Sequence, residues 1–136
     1  MFKLDSRLHN DTFFVCDLSL CRVLLMNDSQ FPWLILVPMK NDIAEIIDLS
    51  EEEQITLLKE SALASKAMQA VFSPLKLNVA ALGNVVRQLH VHHVARFEND
   101  CAWPNPVWGN QPAVAYNTND AQALVKSVKQ WFEDNS

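Results

Sequence analysis

The chain has 136 residues, of which 49% are hydrophobic and 20% charged, a size and balance that predict one globular domain over residues 1–136. Its formal net charge of −5 argues against a nucleic acid polymer as partner, because binding a polyphosphate backbone requires a basic face. No segment approaches the ~20 apolar residues of a membrane span, and the first residues lack the long apolar run of a secretion signal. We therefore expect a cytoplasmic protein with no membrane partner.

The first half of the chain predicts a hairpin followed by a buried strand. Phe13–Asp17 and Arg22–Met26 are short apolar runs separated by a break at Ser19–Cys21, which is typical of two antiparallel strands. Trp33–Val37 is a continuous apolar run that Pro38 stops, and such a run favours a strand buried on both faces.

A long helix is predicted next. Ser50 and Glu53 have the spacing of a capping box, and apolar residues then recur at helical intervals until Ser73 and Pro74 end the segment. At the end of the chain a second amphipathic helix is predicted, with Asn119 or Asp120 as its N-cap.

Between the two helices the sequence predicts two more strands. Lys76–Ala81 and Gln88–Phe97 have strand character, and Gly83–Asn84 interrupts them. The Trp103–Gly109 segment contains too much proline for regular structure and could cap a pocket, line a dimer interface or simply pack. The order of elements predicts an α+β fold, in which a long central helix and a C-terminal helix pack on a mostly antiparallel sheet of about five strands.

Three of the four histidines lie within four consecutive residues of one predicted strand. Because side chains alternate along a strand, Gln88, His90 and His92 share one face, whereas His93 shares the other face with apolar neighbours. The polar face can present one imidazole nitrogen as a nucleophile and a neighbouring imidazole as hydrogen-bond donor to a phosphate. We expect His93, on the core face, to have a structural role.

Two other interpretations of these histidines remain open at this stage. They could be surface side chains without a common role, or the H-x-H pair could bind zinc. A zinc site would need His9 or a cysteine to complete the ligand shell, and nothing in the sequence places either nearby.

The segment from Gln88 to His93 resembles the motif of the histidine triad (HIT) family, in which histidines alternate with apolar residues. Gly83 and Arg96 match two landmarks that flank the family motif, and both place His90 at the middle position. The resemblance implies a HIT-like fold, with His90 as the nucleophile that forms a nucleotidyl-histidine intermediate and His92 as hydrogen-bond donor to the phosphate. Gln88 stands where the first histidine would be, and glutamine cannot exchange a proton near neutral pH.

The same resemblance suggests further contacts to a nucleotide. Asn27 stands at the position where an Asp or Asn side chain holds the ribose hydroxyls in the family, and Gly83 and Asn84 would lie near the phosphates. Both segments also have the composition of ordinary turns. The resemblance implies a homodimer, and no metal or other cofactor in the active site.

The expected function is that of a nucleotide hydrolase or nucleotidyl transferase that acts at the α-phosphate. Its substrates would be dinucleoside polyphosphates or nucleoside phosphoramidates. The alternative is a nucleotide-binding module in which the change at Gln88 has removed turnover, and a metal-binding protein is the third possibility.

Overall fold

Five antiparallel strands form one sheet in the computed structural model, which describes residues 1–136. The spatial order is β1-β2-β3-β5-β4, so that β5 lies inside the sheet and β4 lies at its edge. This sheet and three helices confirm the predicted α+β class. The strands are β1 (Thr12–Asp17), β2 (Cys21–Met26), β3 (Trp33–Pro38), β4 (Lys76–Ala80) and β5 (Val91–Arg96).

The helices are α1 (Ser6–Asp11), α2 (Glu51–Phe72) and α3 (Thr118–Asn135). The capping box of α2 forms as predicted, because the Glu53 backbone N–H donates to Ser50 Oγ (3.1 Å) while the Ser50 N–H donates to Glu53 Oε1 (2.9 Å). None of the helices combines the length with the apolar composition that a membrane-spanning helix needs.

The predicted cap of α3 was wrong. Asn117 caps this helix, and its Oδ1 accepts the backbone N–H of Asp120 at 2.8 Å. Asn119 and Asp120 already lie in the first turn, where Asp120 instead contributes a negative charge near the helix N-terminus. The short helix α1, capped by Asp5, was not predicted.

The strand predicted over Gln88–Phe97 is shorter than expected. It begins at Val91, where the ladder with β3 begins, and it ends at Arg96. Before that point the Leu89 backbone N–H donates to the carbonyl of Ile43 at 2.9 Å, so a loop rather than a strand partners this part of the chain.

The two faces of the sheet are covered differently. Helices α2 and α3 bury one face, in a core that includes Leu34, Leu36 and Val91. The opposite face carries Trp33, Ile35 and Val94, and it is covered by α1 and by the irregular chain after β5. From that irregular chain, Ala102 and Val107 are buried in this second core.

Candidate active site

His90 and His92 lie together on the sheet face opposite α2. Their ring centroids are 4.9 Å apart at an interplanar angle of 75°, closer than the ~7 Å separation of alternate positions along an ideal strand. Both residues are 7% exposed, so the interpretation as unconnected surface histidines was wrong. The pair forms a partly enclosed cluster of two imidazoles.

A backbone carbonyl fixes the orientation of the His90 ring. His90 Nδ1 lies 2.7 Å from the carbonyl oxygen of Gln88. Because a carbonyl can only accept a hydrogen bond, a neutral His90 carries its proton on Nδ1. The lone pair is therefore on Nε2, which has no hydrogen-bond partner in the protein and is suited to act as a nucleophile.

His92 has the opposite arrangement of proton and lone pair. The indole N–H of Trp33 donates to His92 Nδ1 at 3.0 Å, so the proton of a neutral His92 lies on Nε2. Burial, together with the proximity of His90 and His93, lowers the pKa of His92 to about 3. At neutral pH His92 is thus an uncharged ring with an N–H available to a ligand.

The Trp103–Gly109 segment forms a wall beside His92. The Trp108 ring packs edge-on against His92, with centroids 5.3 Å apart, and against Trp33 at 5.9 Å. Of the three roles considered for this segment, packing is therefore observed, against the sheet face that carries His92 and Trp33. Trp108 Nε1 is the one buried side-chain nitrogen or oxygen atom without a hydrogen-bond partner.

Arg96 holds this segment in place. Its guanidinium donates to both carboxylate oxygens of Asp100 (2.8 and 3.1 Å), to Asn78 Oδ1 (2.8 Å) and to the backbone carbonyl of Asn105 (2.8 Å). Burial raises the pKa of Asp100, but hydrogen bonds from Arg96 and from backbone N–H groups outweigh burial and lower it to about 2. The landmark arginine thus anchors the loop that carries Trp108.

Gln88 is bound to the N-terminal segment of the chain. Its Oε1 accepts the backbone N–H of Asp5 at 2.8 Å, and its Nε2 donates to the carbonyl of Lys3 at 3.0 Å. A primary amide has a second N–H and a further lone pair, so each end of the side chain retains one hydrogen-bonding position.

A pocket of about 320 Å³ opens beside His90. Gly83 and Gln88 also line this pocket. Gly83 has φ +77°, a conformation that favours glycine, and a Cβ built there would lie 3.3 Å from the carbonyl of Val86. Gly83, Gln88 and His90 are therefore brought together around one pocket.

Asn27 and Asn84 do not line this pocket. Asn27 Oδ1 accepts the backbone N–H of Tyr116 at 2.9 Å, which links the end of β2 to the segment before α3. Asn84 is exposed. Their predicted contacts with ribose and phosphates remain predictions.

His93 lies on the helix face, where sequence alternation places it. Its Nε2 is 2.7 Å from Ser61 Oγ of α2, and its Nδ1 is 3.2 Å from the carbonyl of Val91. Burial lowers its pKa to about 4. Both ring nitrogens have protein partners, as expected for a structural histidine.

Nowhere in the chain do three or more His, Cys, Asp or Glu side chains form a group that could hold a metal ion.

Two residues of this site, Trp33 and Trp108, were missed from the sequence. Trp33 was predicted only as part of a buried strand. Its position in β3 was the available signal, because an indole is large enough to reach a diagonal neighbour on the adjacent strand. The sequence carried no signal that Trp108 would reach His92.

Comparisons with known proteins identify the family and the fold. A family model described as the HIT domain matches residues 7–99. A histidine triad protein from Marinobacter aquaeolei VT8 is 46% identical, with 100% of this chain and 99% of that chain covered and a TM-score of 0.95. One from Bradyrhizobium japonicum is 43% identical, with 95% and 96% covered and a TM-score of 0.92.

The fold is also similar to more distant proteins. Diadenosine triphosphate hydrolase from Plasmodium falciparum is 16% identical, with 99% of this chain and 82% of that chain covered and a TM-score of 0.70. A search of curated proteins gives no match. The family model and the two histidine triad relatives show that the chain belongs to the histidine triad family, and membership supports a nucleotide-related activity in general.

Proposed function

We propose that the protein is a nucleotide hydrolase or nucleotidyl transferase that acts at the α-phosphate through a covalent intermediate on His90. The observation that carries this proposal is the orientation of the His90 ring beside a pocket. A backbone carbonyl accepts the hydrogen bond of Nδ1, and Nε2 has no partner in the protein. A fold neighbour that is a diadenosine triphosphate hydrolase supports a dinucleoside polyphosphate as the substrate class, and the resemblance to the family adds nucleoside phosphoramidates as the alternative.

The reaction would proceed in two steps. In the first, His90 Nε2 forms a bond to the α-phosphorus while the bond from phosphorus to the leaving group breaks. In the second, the oxygen of water or of another acceptor hydroxyl bonds to phosphorus, the bond to His90 breaks, and the acceptor's proton is released to solvent.

His92 would stabilise the charge that develops on the phosphate oxygens. Its Nε2–H is a neutral donor that needs no rearrangement, because Trp33 already occupies Nδ1. Backbone N–H groups near Gly83 would contribute further donors. Asn27 would hold the ribose, and Asn84 would lie near the phosphates.

Gln88 would contact the leaving group with its remaining N–H. The hydrogen bonds of this amide to the backbone of Lys3 and Asp5 also favour a second candidate function, a nucleotide-binding module with little turnover. In that case Gln88, at the position of the first triad histidine, has a structural role rather than a catalytic one. The two candidates differ in one measurable property, the release of product.

A panel of adenosine and guanosine dinucleotides and phosphoramidates separates these candidates. Release of mononucleotide, together with a nucleotide-sized mass increase on wild-type protein that is absent from His90→Ala, supports the enzyme. Because phosphorus–nitrogen bonds hydrolyse in acid, the quench for mass spectrometry should be alkaline. Binding of mononucleotides without release from any substrate would reject the enzyme and support the module.

We also propose that the protein is a cytoplasmic homodimer. Strand β4 lies at the sheet edge, and apolar side chains on and after it are exposed, including Val79 (49%) and Val85 (76%). Such a surface favours association. Light scattering should give twice the 15.4 kDa monomer mass, and Val79→Lys should lower it, whereas a monomeric wild type at micromolar concentration would contradict the proposal.

A further inference from the structure

The surroundings of His92 indicate a role for a residue outside the histidine motif. We propose that Trp33 is a positioning residue, whose indole N–H fixes His92 in the tautomer with its proton on Nε2 and so presents a donor to the phosphate. The consequence for catalysis rests on the proposed function, whereas the tautomer itself can be measured in the resting protein.

The hydrogen bond determines the tautomer because of the chemistry of indole. The Trp33 nitrogen can only donate, so the ring atom 3.0 Å away, His92 Nδ1, must accept. In the other tautomer two N–H groups would face each other at this distance. Because both residues are buried, at 6% and 7% exposure, solvent cannot readily relieve that conflict.

The arrangement is built into the sheet. Ile35 pairs with His92 and Trp33 pairs with Val94, so Trp33 is the diagonal neighbour of His92 on the same face. Diagonal positions lie within reach of large aromatic side chains. The Trp33 ring packs edge-on against Phe31 and Trp108, at centroid distances of 6.5 and 5.9 Å.

The neighbouring histidine shows why the assignment matters. His90 Nδ1 faces a carbonyl that only accepts, and His92 Nδ1 faces an indole that only donates. Two chemically identical rings therefore differ in tautomer, and their unpartnered Nε2 atoms provide one lone pair and one donor. Neither Nε2 is among the buried atoms without a partner, so both are accessible to solvent or ligand.

The test is the tautomer of His92, read from two-bond ¹H–¹⁵N correlation spectra of protein labelled with ¹⁵N-histidine. Wild type should show Nε2 protonated, and Trp33→Phe should move the proton at least partly to Nδ1. Trp108→Phe is the matched control, because it keeps a ring beside His92 and removes an N–H that has no partner. A wild-type His92 protonated on Nδ1, or an unchanged tautomer in Trp33→Phe, would overturn the proposal.

A second measurement does not depend on the folding of a variant. A scalar coupling across the hydrogen bond, between Trp33 Nε1 and His92 Nδ1, should be detectable in the wild type labelled with ¹⁵N on both residues. Its absence from an assigned, ordered pair would count against the inference.

Kinetics distinguish this inference from the proposed function. Trp33→Phe should lower kcat by at least about 10-fold, but by less than the 10²–10³-fold expected for loss of the donor itself, with little change in KM. An inactive wild type would reject the proposed function while the spectra still decide the role of Trp33. An unchanged kcat in Trp33→Phe, with active wild type, would reject its positioning role in catalysis.

Discussion

His92 and His93 are adjacent in the chain and lie on opposite faces of β5. Both are buried, and burial lowers the pKa of each, to about 3 and about 4. They differ in their partners, because Ser61 and Val91 occupy both nitrogens of His93, whereas Trp33 occupies only one nitrogen of His92. Burial and a shifted pKa therefore do not separate the two histidines, but the number of unoccupied ring nitrogens does.

The largest effect is expected from removal of the proposed nucleophile, His90. His90→Ala should abolish turnover, because alanine cannot form the covalent intermediate, yet nucleotide binding should be largely retained because the proposed ribose contact, Asn27, is a different residue. Rates of mononucleotide release and calorimetric titration with a mononucleotide measure the two properties. Full activity in this variant would indicate that His92 is the nucleophile.

A smaller loss is expected from the neighbouring donor. His92→Ala should lower kcat by about 10²–10³-fold while activity remains measurable, because it removes one hydrogen bond to developing charge. Ser61→Ala is the control on the helix face, where it removes a partner of His93 and should leave kcat nearly unchanged. Equal losses of kcat in the two variants would contradict the distinction between the faces.

Acid should destabilise the protein through both histidines. Their pKa values of about 3 and about 4 in the folded state lie below the ordinary 6.5, so the unfolded state binds more protons as the pH falls below 6.5. The free energy of unfolding should fall by about 1.6 kcal/mol for each histidine between pH 6.5 and 5.

Urea unfolding at a series of pH values measures this loss. His93→Gln should make the dependence shallower by the share of one histidine, because glutamine does not titrate in this range. A free energy of unfolding that is constant between pH 6.5 and 5 in the wild type would show that the two rings are not held neutral by burial.

The smallest effect is expected at Gln88, which stands at the position of the first histidine of the family motif. Gln88→His should raise turnover for a substrate with a poor leaving group and change that for a good one little. The gain should stay below the 10²–10⁴-fold typical of general acid catalysis, because the substitution also removes the two hydrogen bonds that the Gln88 amide makes to the N-terminal segment. Paired rates on a phosphoramidate and an activated nucleotide ester measure it.

Two outcomes of that comparison would change the interpretation of residue 88. Equal gains for both substrates would reject a role in leaving-group departure. Activity that appears only in Gln88→His, with an inactive wild type, would support the binding module.

The sequence by itself determined which histidines share a face and where the main elements lie. Strand alternation and helical spacing are local properties of the chain, so His90 and His92 could be separated from His93, and the capping box of Ser50 and Glu53 could be predicted. The order of elements and the motif between Gln88 and His93 were likewise sufficient to predict the α+β class and the family.

Only the tertiary structure decided the chemistry of each side chain, because the deciding partners are distant in sequence. Trp33, which sets the His92 tautomer, is 59 residues away, and Lys3, which engages the Gln88 amide, is 85 residues away. Donors and acceptors are specified by contact rather than by periodicity. Which ring nitrogen carries a proton therefore depends on how β3, β5 and the N-terminal segment are brought together.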